Sequence, residues 1–314
     1  MNADTNPPAS RTPAIVTGTP LSAEPGVGAL TISGYLREVT TRFGLREALV
    51  IHTSEGVVRW SYATLWERSV DVARALLAAG TGKDCRVGVL MTNRPEFLAA
   101  MFGIALAGGV TVPLSTFATV PELEYLLKVS CVSILLFENR ILTKDFAASL
   151  CELEPAIGTV EPGRLLSTRF PFLRRLVSVD TVTEAGRARA IESWPDFLRL
   201  GSATPAARVE ATAATVKPSD AGVLFFSSGT TALPKGILQT HRAVAIQWWR
   251  WPRVMGVSDD VRCWTANAFI WSGNFSMTVG CGLSTGGTIV LQRTFQPEEA
   301  LELIEAERVT IPLA

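Results

Sequence analysis

The chain is poor in the residues that build metal centres and disulfide frameworks. Its two histidines, His52 and His241, stand far apart, and its five cysteines (Cys85, Cys131, Cys151, Cys263 and Cys281) show no Cys-x-x-Cys spacing. This excludes a zinc module of closely spaced ligands, and the odd, scattered cysteines read as reduced thiols. No metal site is expected. Charge of one sign is not in excess either, since 29 basic residues balance 29 acidic ones. Without a basic stripe, neither a nucleic acid nor an anionic membrane is expected as a partner. The stretch Met1 to Glu24 is rich in Pro, Thr, Ala and Ser and lacks an apolar core of signal-peptide length, so residues 1–28 are expected to form a disordered tail. The 18 residues from Phe97 to Leu114 carry no charge, but Gly108-Gly109 splits them and Pro113 closes the segment. A buried helix, a glycine turn and a short strand explain that run better than a membrane span. The expectation is a soluble, cytoplasmic protein with no transmembrane segment.

Apolar residues are plentiful. They make up 47% of the 314 residues against 18% charged, with a mean hydropathy of +0.26. The core is therefore large, or some apolar surface is covered by something else. Periodicity alternates between strand and helix. Ala48–His52 and Val57–Trp60 read as a strand pair around Ser54-Glu55-Gly56, and Tyr62–Ala79 as an amphipathic helix ending at Gly80. Arg86–Met91 reads as a buried strand, Asn93-Arg94-Pro95-Glu96 as a helix start, and Cys131–Phe137 as a further strand after a helix over about Pro121–Val129. A helix over His241 to about Trp251, strands at Val261–Ala266 and Thr288–Leu291, a helix over Phe275–Leu283 and another opened by Pro297 complete the pattern. This alternation predicts an α/β fold with mainly parallel sheet flanked by helices. Residues from about Leu142 to Lys217, with five prolines, read as a surface insertion or connection. The apolar strand beginning at Val309 stops at Ala314, which leaves an unfinished sheet.

The chemistry concentrates in Phe225-Phe226-Ser227-Ser228-Gly229-Thr230-Thr231-Ala232-Leu233-Pro234-Lys235-Gly236. Binding a triphosphate needs many donors converging on anionic oxygens, and backbone amides approach closely enough only where glycine allows it. Ser227, Ser228, Thr230 and Thr231 add hydroxyls around Gly229, Lys235 adds a positive charge, and Gly236 permits a second tight bend. A Walker A loop fails on spacing, because Pro234 falls where its second glycine belongs and Gly236 follows the lysine. A plain Ser/Thr/Gly surface turn is the default alternative.

The run resembles the signature loop of the adenylate-forming (AMP-binding) superfamily, of the acyl-CoA synthetase kind, usually written [Tyr/Phe]-Thr-Ser-Gly-Thr-Thr-Gly-x-Pro-Lys-Gly. Ala232 stands where that pattern has a third glycine; in a left-handed backbone an alanine there would cost roughly 1 kcal/mol. Trp60-Ser61-Tyr62, Gly82-Lys83-Asp84-Cys85-Arg86-Val87, Asn93-Arg94-Pro95-Glu96, Gly108–Pro113 and Thr240-His241-Arg242 extend the likeness from about Leu30 to the end. It implies that residues 29–314 form an incomplete large N-terminal domain of that fold, with the small C-terminal domain absent.

In that family ATP and Mg²⁺ activate a carboxylic acid, often a fatty acid, as an acyl-adenylate, and the thiol of coenzyme A then takes the acyl group. The resemblance places Ser227, Ser228, Gly229, Thr230, Thr231, Lys235 and Gly236 on the nucleotide phosphates and His241 near the adenylate or acyl site. It also places Trp271 and Gly273 at the acyl pocket, although Trp271 reads equally as ordinary core. Trp248, Trp249 and Trp251 read as helix-face packing, and His52 as structural. No Ser-His-Asp or paired-carboxylate arrangement can be argued, so no catalytic residue is assigned. The family's Thr-Glu pair, ribose aspartate and adenylation lysine have no counterpart in the chain. The expectation is therefore a ligase that is incomplete for catalysis alone, completed by a separate polypeptide or left incomplete by an early stop, or a catalytically dead nucleotide-binding or interaction module.

Overall fold

The computed structural model describes residues 20, 23–24, 27–180, 188–227, 233–257 and 259–313. Their strands form two large sheets and one small hairpin. In the seven-stranded sheet the order is Lys235–Thr240, Ala221–Ser227, Val110–Pro113, Arg86–Leu90, Ile134–Phe137, Arg175–Ser178 and Ile191–Ser193. All neighbours are parallel except the first pair, which is an antiparallel hairpin. In the five-stranded sheet Ile311–Pro312, Arg262–Thr265, Thr288–Leu291 and Glu47–Thr53 run parallel, and Gly56–Ser61 closes the edge antiparallel to Glu47–Thr53. The expected mainly parallel α/β architecture is what forms.

Strand side chains alternate between two cores, as a period of two requires. Val87, Val89, Ile134, Leu136, Val223 and Phe225 face a central core, together with Leu49, Ile51, Ile289 and Leu291 of the other sheet. Leu90, Leu135, Phe137, Leu224 and Leu176 face an outer core covered by the helices Val120–Ser130 and Phe146–Leu153. Between the sheets lie helices Ile32–Phe43, Tyr62–Ala78, Pro95–Leu106, His241–Val254 and Ser272–Ser284. The far face of the five-stranded sheet packs Val50, Trp264 and Val290 against helix Pro297–Ala306.

The uncharged run resolves as expected. Pro95–Leu106 is a helix with every residue but Glu96 buried, and the chain turns at Gly108, whose φ of +77° suits glycine, into strand Val110–Pro113. Among the described residues no helix is long and apolar enough to cross a membrane.

Two expectations need correction. Residues 142–217 are not a surface insertion. They supply the last two strands of the seven-stranded sheet, Arg175–Ser178 and Ile191–Ser193, and bury Phe146, Leu150, Phe170, Leu173 and Leu176 in the outer core and Phe197 and Val209 in the central one. Strands of three and four residues are too short to show a period, and the prolines open helices there: Pro155 and Pro195 sit in first turns, and Pro205 caps Ala206–Thr215. The helix from His241 also runs past Trp251, through Pro252, to Val254. A proline removes the donor that would reach the carbonyl four residues back. Here that carbonyl, of Trp248, accepts from the Ser284 hydroxyl at 3.0 Å instead.

His52 is structural, as expected. Its Nε2 lies 2.7 Å from Glu307, a carboxylate that also receives Arg59 at 3.0 and 2.6 Å and pairs with Arg262. Burial alone would raise the Glu307 pKa, but the bonds from Arg59 and His52 bring it down to about 2. This cluster ties the end of the last helix to three strands of the five-stranded sheet.

Candidate functional site

The hairpin at the edge of the seven-stranded sheet carries the glycine-rich loop. Its register pairs Ser227 with Lys235 and Phe226 with Gly236, so these residues face each other at the loop's base. Ser228, Gly229, Thr230, Thr231 and Ala232 lie outside the described residues. Gly236 has a packing reason: a Cβ there would come within 3.2 Å of the Leu224 side chain. The strand that enters the loop is anchored by Val223, Leu224 and Phe225 in the two cores, which gives the loop a rigid base.

Beside the loop, at the carboxyl ends of Ala221–Ser227 and Val110–Pro113, a groove of about 420 Å³ opens. The carboxyl ends of parallel strands are where open α/β sheets bind ligands. Its walls are mostly apolar (Pro113, Phe117, Leu126, Phe226, Ile270 and Trp271), with Ser227 and Pro234 at the stems of the loop. Glu122 is its charged residue; the Thr119 amide and hydroxyl, which complete a capping box with it, lower its pKa and keep it ionised. Among the described residues no group of three His, Cys, Asp or Glu is placed to hold a metal ion.

The remaining candidates are divided by the fold. Trp271 lines the groove and is 45% exposed, at the N-cap of helix Ser272–Ser284. Gly273 sits in the first turn of that helix, where a Cβ would meet only open space. His241 does not line the groove. It is 0% exposed, its Nδ1 accepts the Ile32 amide at 3.2 Å, and its Nε2 has no partner. It therefore links the first helix to the hairpin.

Burial pushes the His241 pKa down to about 4, against a weaker pull from Asp220. The unfolded chain, with a histidine near 6.5, binds more protons between those values, so stability falls as pH drops below about 6.5. Lowering the pH from 7 to 5 is expected to remove about 2 kcal/mol through this residue. Urea midpoints measured at both pH values, for the wild type and for His241→Gln, check this: the variant should lose that share of the pH dependence.

Sequence reasoning missed two residues that hold the groove's rim. Asn93, read only as part of a helix start, donates to the Asn267 carbonyl at 2.8 Å and accepts the Phe269 amide at 3.2 Å. Asn274, buried, donates to the same carbonyl at 2.6 Å and accepts from Thr265 and Thr278 at 3.0 and 2.6 Å. Together they fix the segment that presents Ile270 and Trp271. Polar residues at the edges of apolar runs were the available signal.

Comparison with known proteins gives a consistent result. Residues 36–313 match the family model described as AMP-binding enzyme. The acyl-CoA ligase SID4 of Ajellomyces capsulatus is 27% identical over 91% of this chain and 46% of its own length. A feruloyl-CoA synthase of Amycolatopsis is 30% identical over 80% of this chain and 42% of its own. Among solved structures, the inhibitor-bound N-terminal domain of FACL13 from Mycobacterium tuberculosis superposes with a TM-score of 0.70 at 23% identity, covering 90% of this chain and 62% of that one. The chain spans about half the length of the curated relatives it matches. With 278 consecutive positions under one family model, from residue 36 to residue 313, the chain belongs to the AMP-binding enzyme family.

Proposed function

We propose that this chain is the nucleotide-binding part of an acyl-CoA synthetase-like ligase, which activates a carboxylic acid with ATP as an acyl-adenylate and passes it to coenzyme A. The observation that carries this reading is the pairing of Ser227 with Lys235 at the base of the loop, with the stems Ser227 and Pro234 lining an apolar groove at the carboxyl edge of the sheet. A carboxylate is a poor electrophile, and joining it to AMP makes a good leaving group. Ser227, Ser228, Thr230 and Thr231 serve the phosphate oxygens, Gly229 and Gly236 permit close approach, and Lys235 offsets charge on the departing pyrophosphate. The hydroxyl-rich loop suits a triphosphate that arrives with Mg²⁺, an ion held largely by phosphate oxygens and water. Trp271, with Gly273 beside it, lines the acyl side, and His241 supports the site from the core as a neutral side chain. The residues that contact ribose and complete adenylation, in this reading, belong to the half of the relatives that this chain does not span.

Calorimetric titration with MgATP, pyrophosphate and AMP tests the proposal. Lys235→Ala is expected to weaken ATP and pyrophosphate by about 10-fold or more, the worth of one charge-assisted hydrogen bond, while leaving AMP unchanged. A wild-type chain that ignores ATP at millimolar concentration, or a variant that binds it equally well, would overturn the reading.

A further inference from the structure

Tyr125 lies on helix Val120–Ser130, on the outer face of the seven-stranded sheet, and its hydroxyl donates to the carbonyl of Pro234 at 3.0 Å. Pro234 is the exit stem of the glycine-rich loop, and the next residue, Lys235, faces Ser227 across the hairpin. The exit stem is thus fastened to a helix as well as to its partner strand.

That helix is itself well anchored. Its first turn is closed by the Thr119–Glu122 capping box, with the Thr119 amide 2.7 Å from the Glu122 carboxylate. The turn before it is held from the hairpin Arg140–Asp145, where the Lys144 amino group donates to the carbonyls of Thr116 at 3.2 Å and Ala118 at 2.8 Å. Leu123, Leu126 and Leu127 bury its inner face in the outer core. Leu126 and Glu122 line the groove, so one rigid helix forms a wall of the site and also reaches the loop's exit.

We infer that Tyr125 is a positioning residue that sets the place of the loop's exit stem, Pro234 at the groove and Lys235 next to it. Ordering a loop stem costs conformational entropy, and a tether made before the ligand arrives lowers what binding must spend. A tyrosine suits the task, since its ring packs while its hydroxyl reaches a backbone acceptor. The inference rests on the reading of the loop as a phosphate site.

Tyr125→Phe removes one oxygen and keeps the ring. Amide hydrogen exchange across residues 233–236, without ligand, is expected to quicken about three- to tenfold, with the rest of the sheet unchanged. MgATP and pyrophosphate affinities should fall by a similar factor, while AMP affinity holds. Lys128→Ala, which removes an exposed partner of Glu124 from the same helix, should leave exchange and affinity as they are. Unchanged exchange at 233–236 in Tyr125→Phe overturns the inference whatever the nucleotide data show. Protection lost evenly throughout the sheet marks a merely structural hydroxyl and overturns it too. A wild type that binds no ATP while the variant's stem still loosens overturns the phosphate reading alone.

Discussion

Glu138→Ala should destabilise the fold by about 2–4 kcal/mol, the range for leaving two buried donors without an acceptor. Glu138 follows strand Ile134–Phe137 and is 0% exposed. Its carboxylate accepts the Thr92 amide at 2.9 Å and the Thr92 hydroxyl at 2.6 Å, and it pairs with Arg293 and, at 3.9 Å, with Arg94. Thr92 lies just past strand Arg86–Leu90 of the same sheet, whereas Arg293 lies just past Thr288–Leu291 of the other. One carboxylate thus joins the carboxyl ends of both sheets. Its loss leaves the buried Thr92 amide and hydroxyl without their acceptor, whereas Arg94 keeps Glu96 and Asp180, each at 2.8 Å. Urea unfolding followed by fluorescence measures the effect. Glu138→Gln, which keeps one acceptor oxygen for the two Thr92 donors and drops the charge, should lose less than the alanine variant. A loss under about 1 kcal/mol for Glu138→Ala would show that water reaches the Thr92 donors.

The second large effect is expected at Trp248. The side chain is 0% exposed and meets the rings of Tyr35 at 4.8 Å, Phe275 at 5.6 Å and Phe102 at 5.8 Å. Those partners come from three different helices, and the indole N–H donates to the Phe275 carbonyl at 3.2 Å. Helix Ser272–Ser284 approaches closely because Gly280 lies against the Trp248 backbone, where a Cβ would be only 2.9 Å from its carbonyl oxygen. Trp248→Ala empties the centre of this cluster and should cost about 3–5 kcal/mol. Trp248→Phe keeps much of the ring volume and gives up only the indole hydrogen bond to the Phe275 carbonyl, so it should cost less, which a thermal melt of both variants would separate. Equal losses for the two would mean that volume alone matters there. A residue so enclosed cannot stack on a base, which agrees with reading Trp248 as helix packing.

Local signals were legible where they were strong. The strand pair around Gly56, the amphipathic helix from Tyr62, the proline-opened helices at Pro95 and Pro297, and strand Thr288–Leu291 all form close to where periodicity and turn chemistry put them. The polar cluster between Phe226 and Gly236 pointed to the family before any fold was considered, because its spacing failed one phosphate-loop pattern and met another. Segment 142–217 was misread because its sheet contribution comes in strands too short to show alternation. Trp271 could be narrowed no further than pocket or core, and only the fold brings it beside Phe226 and Pro113.

The sequence by itself determined the α/β class, most element positions and membership of an adenylate-forming family, since hydrophobic period, glycine turns and motif spacing all act over a dozen residues or fewer. Only the tertiary structure decided the partners of isolated polar side chains. Strand order brings Glu138 to Arg293, Asn93 to Asn267, Tyr125 to Pro234 and the Ile32 amide to His241, each across more than a hundred residues of chain. Such contacts leave no local period. They arise because crossover helices set which strand ends become neighbours, and buried polar groups are then retained where those ends supply a partner.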